Sequence, residues 1–301
     1  MRRVFDSFLL FNEIDLALLR LETLHEVVDT FVIVECAMSH GGIPKPFFFE
    51  IYKDRFAKYL PKIHYYKLHE LPPLRDESIE SRTELGIYNY NKMYDALKEC
   101  AASSDDIVII SDLDEIPDPV YVSMLPHYLS QHSHVVFVQT YMKYFVNHLQ
   151  YFNLRDWAGC VACRFRQVEL ETPMGIRRGQ KTPRSAHLLF GTRPSEHFYL
   201  ENSGWHFTYF GGAAAVATKY RNSLEELGDL SYNQIPPLVD IDYNAFDRRK
   251  SSPELVQWIS TLSDQIIPMQ EYNEVSELFP NLPPALLKEP DRYPFCFWLE
   301  Q

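Results

Sequence analysis

The chain has 301 residues, 41 acidic against 29 basic side chains and a net charge of -12, with 46% hydrophobic and 23% charged residues. That balance belongs to a globular protein able to bury a core and excludes wholesale disorder. The acidity argues against a nucleic-acid wrapper, which needs clustered Lys and Arg, and no apolar run approaches the ~20 residues of a membrane span.

Five cysteines, an odd number, argue against a disulfide framework and for a reducing compartment. The opening Met-Arg-Arg-Val-Phe-Asp places an aspartate where a signal peptide needs an apolar stretch. The expectation is a soluble, cytoplasmic protein without a membrane span.

In chain order, Val4 to Phe11 reads as a buried strand. Asn12 is placed to cap a helix whose Ile14, Leu18, Leu21, Leu24 and Val28 share one face. Thr30 to Val34 is a β-branched second strand ending at Glu35 and Cys36. Gly41, Gly42, Pro44 and Pro46 make Met38 to Pro46 a loop. A helix near Glu50 to Tyr59, a strand near Ile63 to Leu68 and a long helix from about Glu77 to Cys100 follow. Asp106 to Ser111 is the cleanest strand, and it runs directly into Asp112-Leu113-Asp114-Glu115-Ile116-Pro117.

Beyond this point the alternation weakens. Val135 to Met142 reads as a strand and Ala213 to Leu227 as a helix, while the proline-rich chain after Pro237 suggests a peripheral wrap. Cys160-Val161-Ala162-Cys163 lacks a second ligand pair for zinc, so it reads as a strand with buried thiols. Strand–helix alternation predicts a mostly parallel sheet covered on both faces, with its ligand beyond the carboxyl ends of the strands. That rim gathers Asn12, Glu13, Glu35 and Asp112 to Glu115.

Three carboxylates on a partly dry rim repel one another unless a cation neutralises them. Hard oxygen ligands of this kind suit Mg²⁺ or Mn²⁺. The plainer alternative is an acidic first helical turn.

Several segments together resemble glycosyltransferase family 17. They are Phe11-Asn12-Glu13-Ile14-Asp15-Leu16 with Arg20, Phe31-Val32-Ile33-Val34-Glu35, Gly42-Ile43-Pro44-Lys45-Pro46, Ile110 to Pro117, and Ser203-Gly204-Trp205-His206-Phe207-Thr208-Tyr209. The resemblance covers about Val4 to Tyr144 and the block around Trp205. It implies an α/β fold of the GT-A type, with a Rossmann-like nucleotide-sugar-binding half (about 1–117) and an acceptor half (about 118–235), followed by a 236–301 extension on the same domain. It further implies a UDP-sugar donor, N-acetylglucosamine being favoured, a glycan acceptor, Mn²⁺ or Mg²⁺, and an inverting transfer giving a β linkage.

Residue by residue, the resemblance places Asp112 and Asp114 at the metal-motif positions, with His206 as a third metal ligand and Glu115 as first choice for the catalytic base. Asp156 and Glu196 are the alternative bases. From the strand ends, Asn12 and Glu13 are candidates for uracil or ribose, Glu35 for the ribose hydroxyls and Lys45 for the diphosphate, against helix-dipole charge for Glu13 and a solvated loop position for Lys45, while Trp205 meets either a sugar ring or the core. The basic run Arg177 to Arg184 is either a lid over phosphates or solvated surface. Two departures stand out: Tyr90 occupies a position where many relatives carry arginine, and the membrane anchor of the Golgi members is lacking. The rival readings are a metal-dependent phosphoesterase or nucleotidyl enzyme using the same Asp-x-Asp, and a carbohydrate- or protein-binding module suggested by the 14% aromatic content.

Overall fold

The computed structural model describes residues 2–39, 42–73, 75–76, 78–147, 157–180, 197–211, 218–219, 269 and 271–297. In chain order the elements are β1 (Val4–Leu10), α1 (Ile14–Leu24), β2 (Thr30–Cys36), α2 (Phe48–Ile51), β3 (Ile63–Leu68), α3 (Ile79–Glu99), β4 (Ile107–Ile110) and β5 (Glu115–Pro117). Then come α4 (Pro119–Ser123), α5 (Leu125–Tyr128), β6 (His134–Lys143), β7 (Trp157–Arg164), α6 (Phe165–Glu171), α7 (Pro173–Gln180), β8 (His197–Leu200) and β9 (Gly204–Thr208). Near the C-terminus lie α8 (Val275–Leu278) and α9 (Pro284–Lys288).

The sheet runs β3-β2-β1-β4-β7-β6-β9-β5, with β8 beside β6. Its first four strands are parallel in successive pairs, and β7 then joins antiparallel to both β4 and β6. β6 pairs parallel with β8 and β9, and β5 closes antiparallel on β9. The sheet is therefore mostly parallel in an α/β chain, the architecture expected of the GT-A type.

Alternation along β4 shows why both faces are covered. Ile107 and Ile109 join the cluster under α1, while Val108 and Ile110 join the cluster under α3. β7 divides likewise: Cys160 and Ala162 face one side, Val161 and Cys163 the other, and all four are fully buried. Burial pushes both thiols up in pKa, so they are inert core groups. Ser78 starts α3 by accepting the N–H of Ser81 at 3.2 Å, as an N-cap does.

Two local expectations change. The boundary residue of α1 is Glu13 rather than Asn12, and no side chain caps it. The helix expected at Glu50 to Tyr59 is the short α2 followed by a 3₁₀ turn over Lys53–Phe56. The reason lies in β2: the Glu35 carboxylate accepts the N–H groups of Phe48 and Phe49, so it satisfies the first turn of α2 and fixes its start. The helix expected at Ala213 to Leu227 falls mostly outside the described residues. Among those described, no helix is long and apolar enough to cross a membrane. The described C-terminal segment lies on the domain, with α9 against α1 and the Cys296 carbonyl accepting the N–H of Val146 at 2.8 Å.

One buried side chain ties these layers together. Arg20 of α1 donates from Nε and Nη2 to the two oxygens of Asp6 in β1, at 2.8 and 2.6 Å, with both side chains at 0% exposure. Its Nη2 also reaches Ser111 Oγ at 2.6 Å, and its Nη1 reaches the carbonyls of Asp112, Leu113 and Glu115 at 3.0, 3.1 and 2.9 Å. The guanidinium thus holds the backbone of the carboxylate segment in place. Replacing it strands a buried carboxylate and three carbonyls. The expected loss for Arg20→Met is ~3–5 kcal/mol, measured by urea unfolding, and a loss below ~1 kcal/mol would contradict this role.

Candidate active site

The carboxyl ends of β1, β2 and β4 open onto a cleft of about 300 Å³, of a size that suits a small ligand. Leu10, Phe11 and Glu13 line it after β1, Cys36, Ser39 and Lys45 after β2, and Asp112 to Asp114 after β4. Asn89 enters from α3, Trp157 from β7, His206 and Thr208 from β9, and Lys219 from the short described stretch 218–219.

Glu115 lies beneath this rim at 0% exposure. Its Oε1 accepts from Trp157 Nε1 at 2.5 Å and Arg177 Nη2 at 2.7 Å, and its Oε2 from Arg177 Nη1 at 2.6 Å and the Asp112 N–H at 2.9 Å. Four donors fill the acceptor capacity of a carboxylate. Burial by itself would raise this carboxyl, but the Arg177 guanidinium outweighs it and, with His206 adding to the pull, holds the pKa at about 2. A group so depressed and so fully bonded is a poor proton acceptor. The geometry therefore makes Glu115 a positioning residue, contrary to its expected role as base. Gly159 of β7 makes the arrangement possible, because a Cβ there would strike the Glu115 carboxylate and the Trp157 indole.

Arg177 comes from α7 and is fully buried. It also pairs with Asp112, donates to the Gly159 carbonyl at 2.8 Å and lies 5.5 Å from the centroid of Tyr90. A guanidinium from α7 thus stands over the ring of Tyr90 in α3. The expected lid or solvated run begins instead with a core cation. Arg178 is exposed, and Lys181 to Arg184 lie outside the described residues.

Asp114 is paired with a different cation. Lys219 Nζ donates to its Oδ2 at 2.6 Å and lies 3.7 Å from Glu13 Oε1, and His206 Nε2 stands 3.5 Å from Asp114 Oδ1. Burial would raise Asp114, but Lys219 and then His206 outweigh it and hold the group well below the usual carboxylate range. His206 and Glu115 are cross-strand partners, which explains why β9 delivers the imidazole to the carboxylates. Asp112, Asp114 and His206 are therefore brought together, yet they do not fit a divalent ion as they stand. The Asp114 oxygen holds an ammonium, Asp112 holds a guanidinium, and no group of three His, Cys, Asp or Glu side chains among the described residues is arranged to take a metal.

The other expected residues divide. Glu13 and Lys45 line the cleft. Glu35 does not reach it as a free acceptor: Lys45 Nζ at 2.7 Å, the Tyr65 hydroxyl at 2.8 Å and two N–H groups of α2 occupy its carboxylate. Lys45 is correspondingly drawn into that pair and is itself buried. Asn12 is buried, and its N–H donates to the Glu13 carboxylate at 3.2 Å. Trp205 points away from the site into the core, with Nε1 on the Asn281 carbonyl at 2.6 Å, because β9 sends neighbouring side chains to opposite faces. Asp156 and Glu196 lie outside the described residues.

Lys219 and the Trp157 indole were not legible as site groups, and Arg177, read as part of a basic run, was not legible as a buried partner of Glu115. Asn89 is the fourth addition: it is 1% exposed and lines the cleft, and neither amide atom has a partner among the described residues.

The pH dependence of Glu115 follows from its depressed pKa. Its ionised form is favoured by folding, so its contribution to stability is complete above its unfolded value of ~4.3 and is lost as pH falls through about 2. Glu115→Gln should therefore be less stable than wild type at pH 7 but lose less stability between pH 4.3 and 2. Chemical denaturation across that range checks both, and parallel acid limbs would contradict the pairing.

Comparison with known proteins agrees with the family reading. The sequence model of glycosyltransferase family 17 matches residues 1–171. No curated protein matches the chain. Among solved structures, S. aureus TarS 1–349 in complex with UDP-GlcNAc is similar at 9% identity and a TM-score of 0.37, over 73% of this chain and 64% of that one. The galactosyltransferase LgtC in complex with donor and acceptor sugar analogs is similar at 13% identity and a TM-score of 0.31, over 92% and 100% of the two chains. A mycobacterial protein is similar at 13% identity and a TM-score of 0.34, over 68% and 67%. With its family model spanning more than half of the sequence and including the whole carboxylate segment, this chain belongs to glycosyltransferase family 17 and is a glycosyltransferase.

Proposed function

We propose that the chain transfers a sugar, N-acetylglucosamine being favoured, from a UDP-sugar to a carbohydrate acceptor with inversion, giving a β linkage from an α-linked donor. Family membership supports the reaction class and the favoured sugar. One observation supports the place: the Asn89 amide, buried in the cleft, has both polar atoms unpartnered. Each such atom costs ~1–3 kcal/mol when left unmade, so a polar ligand that meets both binds with that penalty relieved. A uracil or ribose offers a donor and an acceptor together, which is what a single amide can match. Phe11 and Leu10 supply apolar lining to the same cleft.

Inverting transfer is a single displacement. The acceptor oxygen bonds to the anomeric carbon as the bond to the diphosphate oxygen breaks, the acceptor's proton goes to a base, and UDP departs with the electron pair. Glu115 is ill suited to take that proton, since four donors already hold it. Asp156 is the base in this reading. Glu196 is the alternative, and both lie outside the described residues.

Release of UDP from a panel of nucleotide sugars, with glycan acceptors present, tests the reaction. Transfer from UDP-N-acetylglucosamine with a β product by NMR is expected, and hydrolysis of phosphate esters without sugar transfer would overturn it. Asn89→Ala should weaken UDP binding about tenfold while leaving the free protein at least as stable in thermal unfolding, since two unmade polar atoms are removed. Asp156→Asn should lower kcat by roughly 10²–10⁴-fold while KM for the donor barely moves.

A further inference from the structure

The rim carboxylates already face cations that the protein supplies, and the two cations differ. Arg177 is 2% exposed and spends its donors inward on Glu115, Asp112 and Gly159. Lys219 has a side chain 25% exposed and lines the cleft. Its ammonium carries three N–H donors. One goes to Asp114 at 2.6 Å, while Glu13, at 3.7 Å, is an ion-pair neighbour beyond hydrogen-bond range. The Tyr209 ring lies 5.4 Å away and adds a face that favours a cation. Lys219 is thus a fixed charge, oriented by two carboxylates and a ring, with donor capacity left for a ligand in the cleft.

We propose that Lys219, rather than a divalent metal ion, is the cation that meets the donor diphosphate at Asp114. The proposal rests on the reading of the chain as a nucleotide-sugar transferase. An ion bound to the same carboxylate would sit ~2.0–2.2 Å from its oxygen and press against the ammonium. Two positive charges that close repel strongly where water is excluded, so metal and lysine exclude one another. A lysine binds phosphate as a compact point charge, and a departing diphosphate is stabilised by any fixed cation placed where its charge grows. In this arrangement Asp114 is the anchor of the lysine, and Glu13 limits its swing.

Calorimetric titration of the full chain with UDP, in EDTA and in Mn²⁺, tests the proposal. Wild type is expected to bind UDP with the same affinity in both, within about threefold, and Lys219→Met to weaken binding in EDTA by about tenfold or more. Lys219→Arg, which keeps a cation, should retain most of the affinity and guards against misfolding as the cause. Mn²⁺ alone, followed by electron paramagnetic resonance, should bind Lys219→Met, where Asp114 and Glu13 lose their ammonium, and not wild type. Wild type that binds UDP only with Mn²⁺, or a Lys219→Met variant with unchanged affinity in EDTA, would overturn the proposal and leave the transferase reading standing. Failure to bind UDP under either condition would overturn both.

Discussion

A single buried guanidinium organises the site end of this protein. Arg20 sits in α1, but its donors are spent on β1 through Asp6 and on the backbone leaving β4 through three carbonyls. A planar fork with five N–H groups is suited to that task, where a lysine would reach too few of the acceptors. The consequence is mechanical. The segment from Asp112 to Glu115 cannot drift relative to the parallel strands, so Asp112, Leu113 and Asp114 line the cleft in fixed places while Glu115 is held beneath it. The ring of Phe8, 4.7 Å from the guanidinium carbon, closes the arrangement on its remaining face.

Once that backbone is held, charge decides what each carboxylate does. Asp114 and Glu115 are neighbours in sequence but have separate partners, Lys219 for one and Arg177 for the other. Both are driven far toward the ionised form, by different cations approaching from different elements. Glu115 is consumed in structure: it holds Trp157, Arg177 and the Asp112 N–H together and leaves no lone pair for chemistry. Asp114 stays at the rim, where its cation is also in reach of the cleft. The carboxylate cluster is thus a means of placing cations as much as a means of attracting them.

The same logic extends to α7. Tyr90 is buried in α3 and brings no charge of its own. Arg177 arrives from α7 and stands over the ring, so the guanidinium enters the site from a later part of the chain. Helix α7 carries Pro173, Ile176 and Arg177 inward and leaves Arg178 exposed, which is why two adjacent arginines have opposite fates.

Much was legible before folding. The β-branched run of Ile107 to Ile110, the face formed by Ile14, Leu21 and Leu24, and the alternation of Cys160 to Cys163 define the layers, because side-chain periodicity and burial follow local geometry. The same logic located the carboxylates at the carboxyl end of the best strand. Partnership was not legible, since it joins residues far apart in sequence: Arg177 to Glu115, Lys219 to Asp114, Lys45 to Glu35 from a neighbouring loop, and Asn281 to Trp205. What the sequence by itself determined is the set of strands and helices and the rim where the acids collect. Which acids are free and which are spent was decided only by tertiary structure, because a charge in a dry interior is governed by whichever opposite charge the fold brings within a few ångströms.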